Sequence, residues 1–152
     1  MKLHIYTDGA ARGNPGPSAS GYMILDIGGK VLAKGSFFNG VRTNNVAEYT
    51  AIIFALKKAG SDYGYDSGIT LSSDSMLVVN QLNGVYKIKD ETLRRLHAEA
   101  GSEAARFRSC VFISVPREEK HIMEVDKALN MLLDKRNTGR SAHALSGVQE
   151  RL

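Results

Sequence analysis

Leu3-His4-Ile5-Tyr6-Thr7-Asp8 runs directly into Gly9-Ala10-Ala11-Arg12-Gly13-Asn14-Pro15-Gly16-Pro17, and the change of character at Gly9 decides the fold. The first six residues alternate with period two, as in a half-buried strand, and the strand is expected to end on the Asp8 carboxylate. The glycine- and proline-rich string behind it makes a rigid turn that lets backbone approach a ligand closely. The ending recurs in Ile69-Thr70-Leu71-Ser72-Ser73-Asp74, a second strand delivering an Asp. Ligands of such sheets bind beyond the carboxyl ends of the strands, so Asp8 and Asp74 would project to one place if their strands are neighbours.

Residues 19–25 and 31–38 read as two further strands, joined across Gly28-Gly29, a dipeptide that supplies the positive φ of a tight hairpin. Residues 44–59 are apolar on more than one face, as in a helix packed between a sheet and another helix, and Gly60 is expected to close it. A short helix at 76–82, a charged amphipathic helix at 90–107, a strand at 110–115 and a helix at 122–135 follow. The last carries Val125, Ala128, Leu129 and Leu132 on one face. Strands first, then helix and strand in alternation, predict an α/β fold. Its sheet is mixed and five-stranded, three antiparallel then two parallel strands, with helices on its faces. Residues 1–135 are expected to form one domain and 136–152 a tail without a readable role.

A chain of 152 residues, 43% hydrophobic, can bury a single proper core. The longest apolar run, 51–56, is far short of the roughly 20 residues of a membrane span, and no signal-peptide core follows Met1. A cytoplasmic protein without a membrane partner is expected. Cys110 is alone, which excludes an internal disulfide and reads as a small buried side chain. The formal charge of +4 permits a polyanionic partner. Residues 61–84 hold Asp62, Asp66 and Asp74 without Lys or Arg, whereas Lys87, Lys89, Arg94, Arg95, Arg106 and Arg108 crowd the next segment. An acidic centre beside a basic flank suits a phosphodiester substrate, and a solvated helix face is the plainer alternative.

Asp8, Glu48, Asp74 and Asp126 each stand in an apolar, structured stretch where a carboxylate is costly. Converging, they would repel one another and hold protons unless a cation joined them, and a divalent metal is the natural one. Each has a plainer use. Asn45 could cap a helix with Glu48 reaching back to it, and Asp74-Ser75 could be a strand exit with a cap. Asp126 borders the stripe of Ile122, Leu129 and Leu133, with Glu124 as its rival. His121 could shuttle a proton, touch a phosphate, or be an ordinary surface residue. Zinc-type Cys/His spacing and the Lys-Ser/Thr ending of a nucleotide phosphate loop are absent from the sequence.

Taken together, Asp8-Gly9-Ala10 with Gly13-Asn14-Pro15-Gly16, Thr43-Asn44-Asn45 with Ala47-Glu48, Ser73-Asp74-Ser75-Met76, and Val115-Pro116-Arg117-Glu118 leading to Asp126 resemble type 1 ribonuclease H. The resemblance runs from residue 3 to about residue 134. It implies a ribonuclease H-like fold and an endonuclease that hydrolyses the RNA strand of RNA·DNA hybrids with two Mg²⁺ or Mn²⁺ ions, giving 5′-phosphate and 3′-hydroxyl ends. By the same resemblance Asp8, Glu48, Asp74 and Asp126 are the metal ligands, with Asp8 bridging both ions. Gly13, Asn14, Asn44 and Asn45 match contacts to the RNA strand in the minor groove, and Thr43 matches a contact to a DNA phosphate. A monomer is expected, with double-stranded RNA as a second candidate partner.

The chain also departs from the family. It has no Trp, and residues 83–89 lack the basic protrusion of some members, as in the compact branch. Between Val115 and Asp126 it has neither a glycine-rich His loop nor the usual Asn and Ala before the last Asp. The alternative is therefore a non-cleaving module that binds hybrid or double-stranded RNA.

Overall fold

The computed structural model describes residues 1–143, with side chains as far as Arg136. Along these residues run β1 (Lys2–Ala11), β2 (Gly16–Asp26), β3 (Val31–Arg42), α1 (Asn44–Tyr63), β4 (Gly68–Ser73), α2 (Met76–Leu82), α3 (Glu91–Ala104), β5 (Ser109–Ser114) and α4 (Lys120–His143). The strands form one sheet in the order β3-β2-β1-β4-β5. β2 is antiparallel to β1 and β3, whereas β4 is parallel to β1 and β5 to β4, so the expected mixed sheet is present. Between β2 and β3 the Asp26 carboxylate accepts hydrogen bonds from the Gly28 and Lys30 N–H groups, both at 2.9 Å, and Gly29 takes φ 91°.

Alternation along the strands sends side chains to two layers. Leu3, Ile5, Ile24, Ile69 and Leu71 pack against Ile52, Ala55, Leu56 and Ala59 of α1. On the other face Ala19, Met23 and Leu25 meet Val125, Leu129 and Leu133 of α4. Each large aliphatic side chain so buried contributes about 1.5–3 kcal/mol of transfer free energy. The α4 stripe is displaced from the expected one: Ala128 is exposed and Leu133 is in the core. α4 packs across β1, β2 and β3, leaving Val111 and Ile113 of β5 exposed.

Several boundaries differ from expectation, each for a local reason. β1 does not stop at Gly9 but stays paired with β2 as far as Ala11 opposite Ser18, so Asp8 is inside the strand, opposite Gly21. Gly60 does not close α1: it lies buried in the last turn, where a Cβ would collide with the Tyr65 ring, and Gly64, at φ 89°, ends the helix. The cap of α1 is Thr43, whose hydroxyl accepts from the Val46 N–H at 3.2 Å, in place of Asn45. Glu48 therefore lies beyond the third helical position and makes no capping box. α3 begins after its cap Asp90 and ends at Ala104, and α4 continues past residue 135 to His143. The rest of the expected tail, 144–152, lies outside the described residues.

Candidate active site

The parallel pairing of β1 and β4 aligns Thr7 with Ser73, so Asp8 and Asp74 follow on neighbouring strands at the same level. α1 enters over Gly9, with the Ala47 carbonyl accepting from the Ser20 hydroxyl at 2.6 Å, and this brings Glu48 to the same point. Carboxylate oxygens of Asp8, Glu48 and Asp74 all lie within 4.8 Å of one another. Asp126, on the α4 side of the sheet, faces Asp8 closely enough that its charge raises the Asp8 carboxyl. Glu124 is elsewhere, paired with Lys34 at 3.3 Å on the surface, so it does not rival Asp126 in this cluster.

Electrostatics follow from that crowding. Burial, then the Asp74 charge and the Asp126 contact, push the Asp8 carboxyl up to about 8, against a hydrogen bond from the Gly9 N–H. Glu48 is raised well above the usual range by burial and by the charges of Asp8 and Asp74. Asp74 is raised by burial, with the Arg117 guanidinium pulling it back. Oε1 of Glu48 is buried with no hydrogen-bond partner. An orphaned carboxylate oxygen among three hard oxygen donors is a poor arrangement for protons and a good one for a dication, so the residues fit Mg²⁺ or Mn²⁺.

Around the acids the expected substrate residues come together. The Asn14 side-chain oxygen accepts from the Asn44 N–H at 2.9 Å, and the Asn44 oxygen accepts from the Ala11 N–H at 3.1 Å. Gly13, Asn14 and Asn44 are exposed and Thr43 and Asn45 half-buried, on adjoining segments. His121 stacks on Tyr6 with centroids 4.4 Å apart, and its Nδ1 is 2.9 Å from Glu119. Burial raises the Glu119 carboxyl, but hydrogen bonds from the His121 ring and the Ile122 and His121 N–H groups outweigh it and hold Glu119 below its usual value.

The basic flank is not one surface. Arg106 lies over the Tyr65 ring at 4.1 Å, and Arg108 is 3.7 Å from Asp66. Both precede β5, whose start pairs with that of β4, so they sit at the opposite end of the sheet from Asp74. Asp62 pairs with Lys58, so it and Asp66 belong to surface pairs and not to the acidic centre. Sequence reasoning missed Tyr6 and Glu119 as parts of the site, and it quoted Gly9 and Arg117 within motifs without giving either a role there. Nothing in the string Arg117-Glu118-Glu119 says where its side chains go; Arg117 acts on Asp74 and Glu119 holds the His121 ring only once the turn into α4 is made.

The sheet order and the carboxylate cluster define a ribonuclease H-like protein with a candidate dication site. A family model described as reverse transcriptase-like matches residues 6–125. Ribonuclease HI of Halobacterium salinarum is 40% identical over 133 residues, 88% of this chain and 65% of the relative. A bifunctional protein of Mycobacterium tuberculosis is 37% identical over 77% of this chain and 32% of its own length. The chain thus spans less than two thirds of both. Among solved structures, the halobacterial RNase H1 superposes with TM-score 0.82 at 38% identity, covering 89% of this chain and 99% of that one. LC11-RNase H1 in complex with an RNA/DNA hybrid gives 0.80 at 39%, covering 88% and 97%. The chain belongs to the type 1 ribonuclease H family.

Among the described residues no helix is long and apolar enough to cross a membrane. Cys110 is half-buried, and burial pushes its thiol up to about 12, an inert side chain.

Proposed function

We propose that this chain is an endonuclease that hydrolyses the RNA strand of RNA·DNA hybrids, leaving 5′-phosphate and 3′-hydroxyl ends. The observation that carries this is the convergence of Asp8, Glu48 and Asp74 within 4.8 Å around an unpaired, buried Glu48 oxygen. Asp8, Glu48, Asp74 and Asp126 would hold two Mg²⁺ or Mn²⁺ ions. When bound, such a pair supplies an activated water for in-line attack and charge stabilisation at the leaving 3′ oxygen. Asp8 shares the cluster with Glu48 and Asp74 and feels the charge of Asp126, so it would be the carboxylate common to the whole ligand set.

The other residues bind and orient. With their oxygens engaged to backbone, Asn14 and Asn44 have amide N–H groups left to donate to 2′-hydroxyls beside Gly13 and Asn45, which is how RNA is told from DNA. The Thr43 hydroxyl, already accepting from Val46, has its proton left for a DNA phosphate. Glu119 fixes the His121 ring through Nδ1, leaving Nε2 to carry a proton to or from solvent. Residues 1–135 would be the catalytic domain of a cytoplasmic monomer.

Labelled hybrid, duplex DNA, duplex RNA and single strands incubated in Mg²⁺ test this. Internal cuts in the RNA of the hybrid are expected, and an intact hybrid contradicts it. Asp74→Asn should lower kcat on the order of 10³-fold or more while hybrid binding persists, because the charge for metal goes and the shape stays. Wild-type activity in that variant would remove the two-metal mechanism. Hybrid retained uncut in both Mg²⁺ and Mn²⁺ would favour a binding module.

A further inference from the structure

Arg12 joins β1 to α4 across the site. Its backbone N–H donates to the Pro17 carbonyl at 2.8 Å, closing the turn that carries Gly13 and Asn14. Its side chain reaches the other way. Nη1 is 2.7 Å from the Asp134 carboxylate, and Nη2 donates to the Asn130 carbonyl at 3.2 Å and to its side-chain oxygen at 3.1 Å. Nδ2 of Asn130 in turn donates to the Asp126 carbonyl at 3.0 Å. A continuous run of hydrogen bonds therefore leads from the turn to the helical residue that bears the fourth carboxylate.

The spacing matches. Asp126, Asn130 and Asp134 succeed one another at intervals of four on one face of α4, and the rise from 126 to 134 is about 12 Å. From Asp8 to Ala11, the end of β1, the strand covers about 10 Å, and Arg12 is the next residue. Asp126 lies near enough to Asp8 at one end for their charges to interact, and Asp134 pairs with Arg12 at the other, which together fix how far α4 slides along β1. The pair's side chains are 38% and 68% exposed, so the ion pair itself adds little stability. What a guanidinium supplies is a planar fork that holds Asp134 and Asn130 together, which a lysine ammonium cannot reproduce.

We infer that Arg12 is a positioning residue for Asp126, acting through Asn130, so that the substrate-reading turn and the fourth metal-site carboxylate are held in one register. This rests on the metal-site reading above, and its test uses Mn²⁺ alone, without nucleic acid. Calorimetric titration of Mn²⁺ into the wild-type chain, Arg12→Lys and Asn130→Ala should show about tenfold weaker binding in both variants, as for other groups that orient a ligand. Their thermal unfolding should stay near that of the wild type. Because the effect runs through Asp126, Arg12→Lys should cost nothing further in an Asp126→Asn background. Wild-type Mn²⁺ affinity in Arg12→Lys, or the same loss in the Asp126→Asn background, overturns the assignment. A wild-type chain that binds Mn²⁺ yet leaves hybrid uncut would sink the nuclease reading and leave this one standing.

Discussion

A methyl group on Gly9 would press on the Ala47 carbonyl carbon and lie 2.5 Å from the Glu48 nitrogen, so the absent side chain is what lets α1 deliver Glu48 to Asp8. The Gly9 N–H also points at the two carboxyls and holds both the Asp8 and the Glu48 shifts down somewhat. Gly9→Ala is expected to destabilise the fold by about 1–3 kcal/mol through overpacking against backbone and to weaken Mn²⁺ binding with it. Urea unfolding and a Mn²⁺ titration measure both, and an unchanged midpoint would show that α1 can back away freely. The acids were legible because a carboxylate in an apolar stretch stands out. Gly9 was not, since a sequence does not separate a strand-stopping glycine from one that admits a neighbouring backbone. His121 was noticed, but its partners Tyr6 and Glu119 come from β1 and from the turn before α4 and carried no signal of their own.

At the level of elements, the sequence pattern found every strand but undercounted the ends of the three antiparallel ones, because pairing to a neighbour continues through residues whose pattern has lapsed; β4 and β5 each sit one residue earlier than expected. β1 to Ala11 and β3 to Arg42 are both held by β2. Asn45 was the cap candidate in view for α1, yet the cap is Thr43. Thr43→Ala should therefore cost about 1 kcal/mol of stability while Asn45→Ala costs a few tenths at most, a difference that chemical denaturation resolves. Equal losses would mean that Asn45 contributes to the cap after all. The basic flank failed for a similar reason. Residues close in sequence on α3 and before β5 are carried to opposite ends of the sheet, and Arg106 is used on Tyr65 and Glu103.

For the molecule as a whole, the crowded carboxylates make metal-free stability depend on pH in an unusual sense. Asp8 is raised from 3.8 to about 8, and Glu48 and Asp74 are raised as well. Between those values the folded state holds a proton that the unfolded chain has released, so stability falls as pH rises through about 4 to 8. In chelator, Tm should drop across that window. Mg²⁺ at a hundredfold over its Kd should restore about 2.7 kcal/mol at the alkaline end, where protons compete least. A metal-free Tm that rises with pH over the same range would contradict the crowding.

The central claim is that Asp8, Glu48 and Asp74, distant in the chain, fold around shared dications. Anomalous diffraction from a crystal soaked in Mn²⁺ tests it most directly. The account predicts density for manganese between those three carboxylates, with Asp126 on its far side. Ordered Mn²⁺ elsewhere, with that pocket holding none, would contradict it.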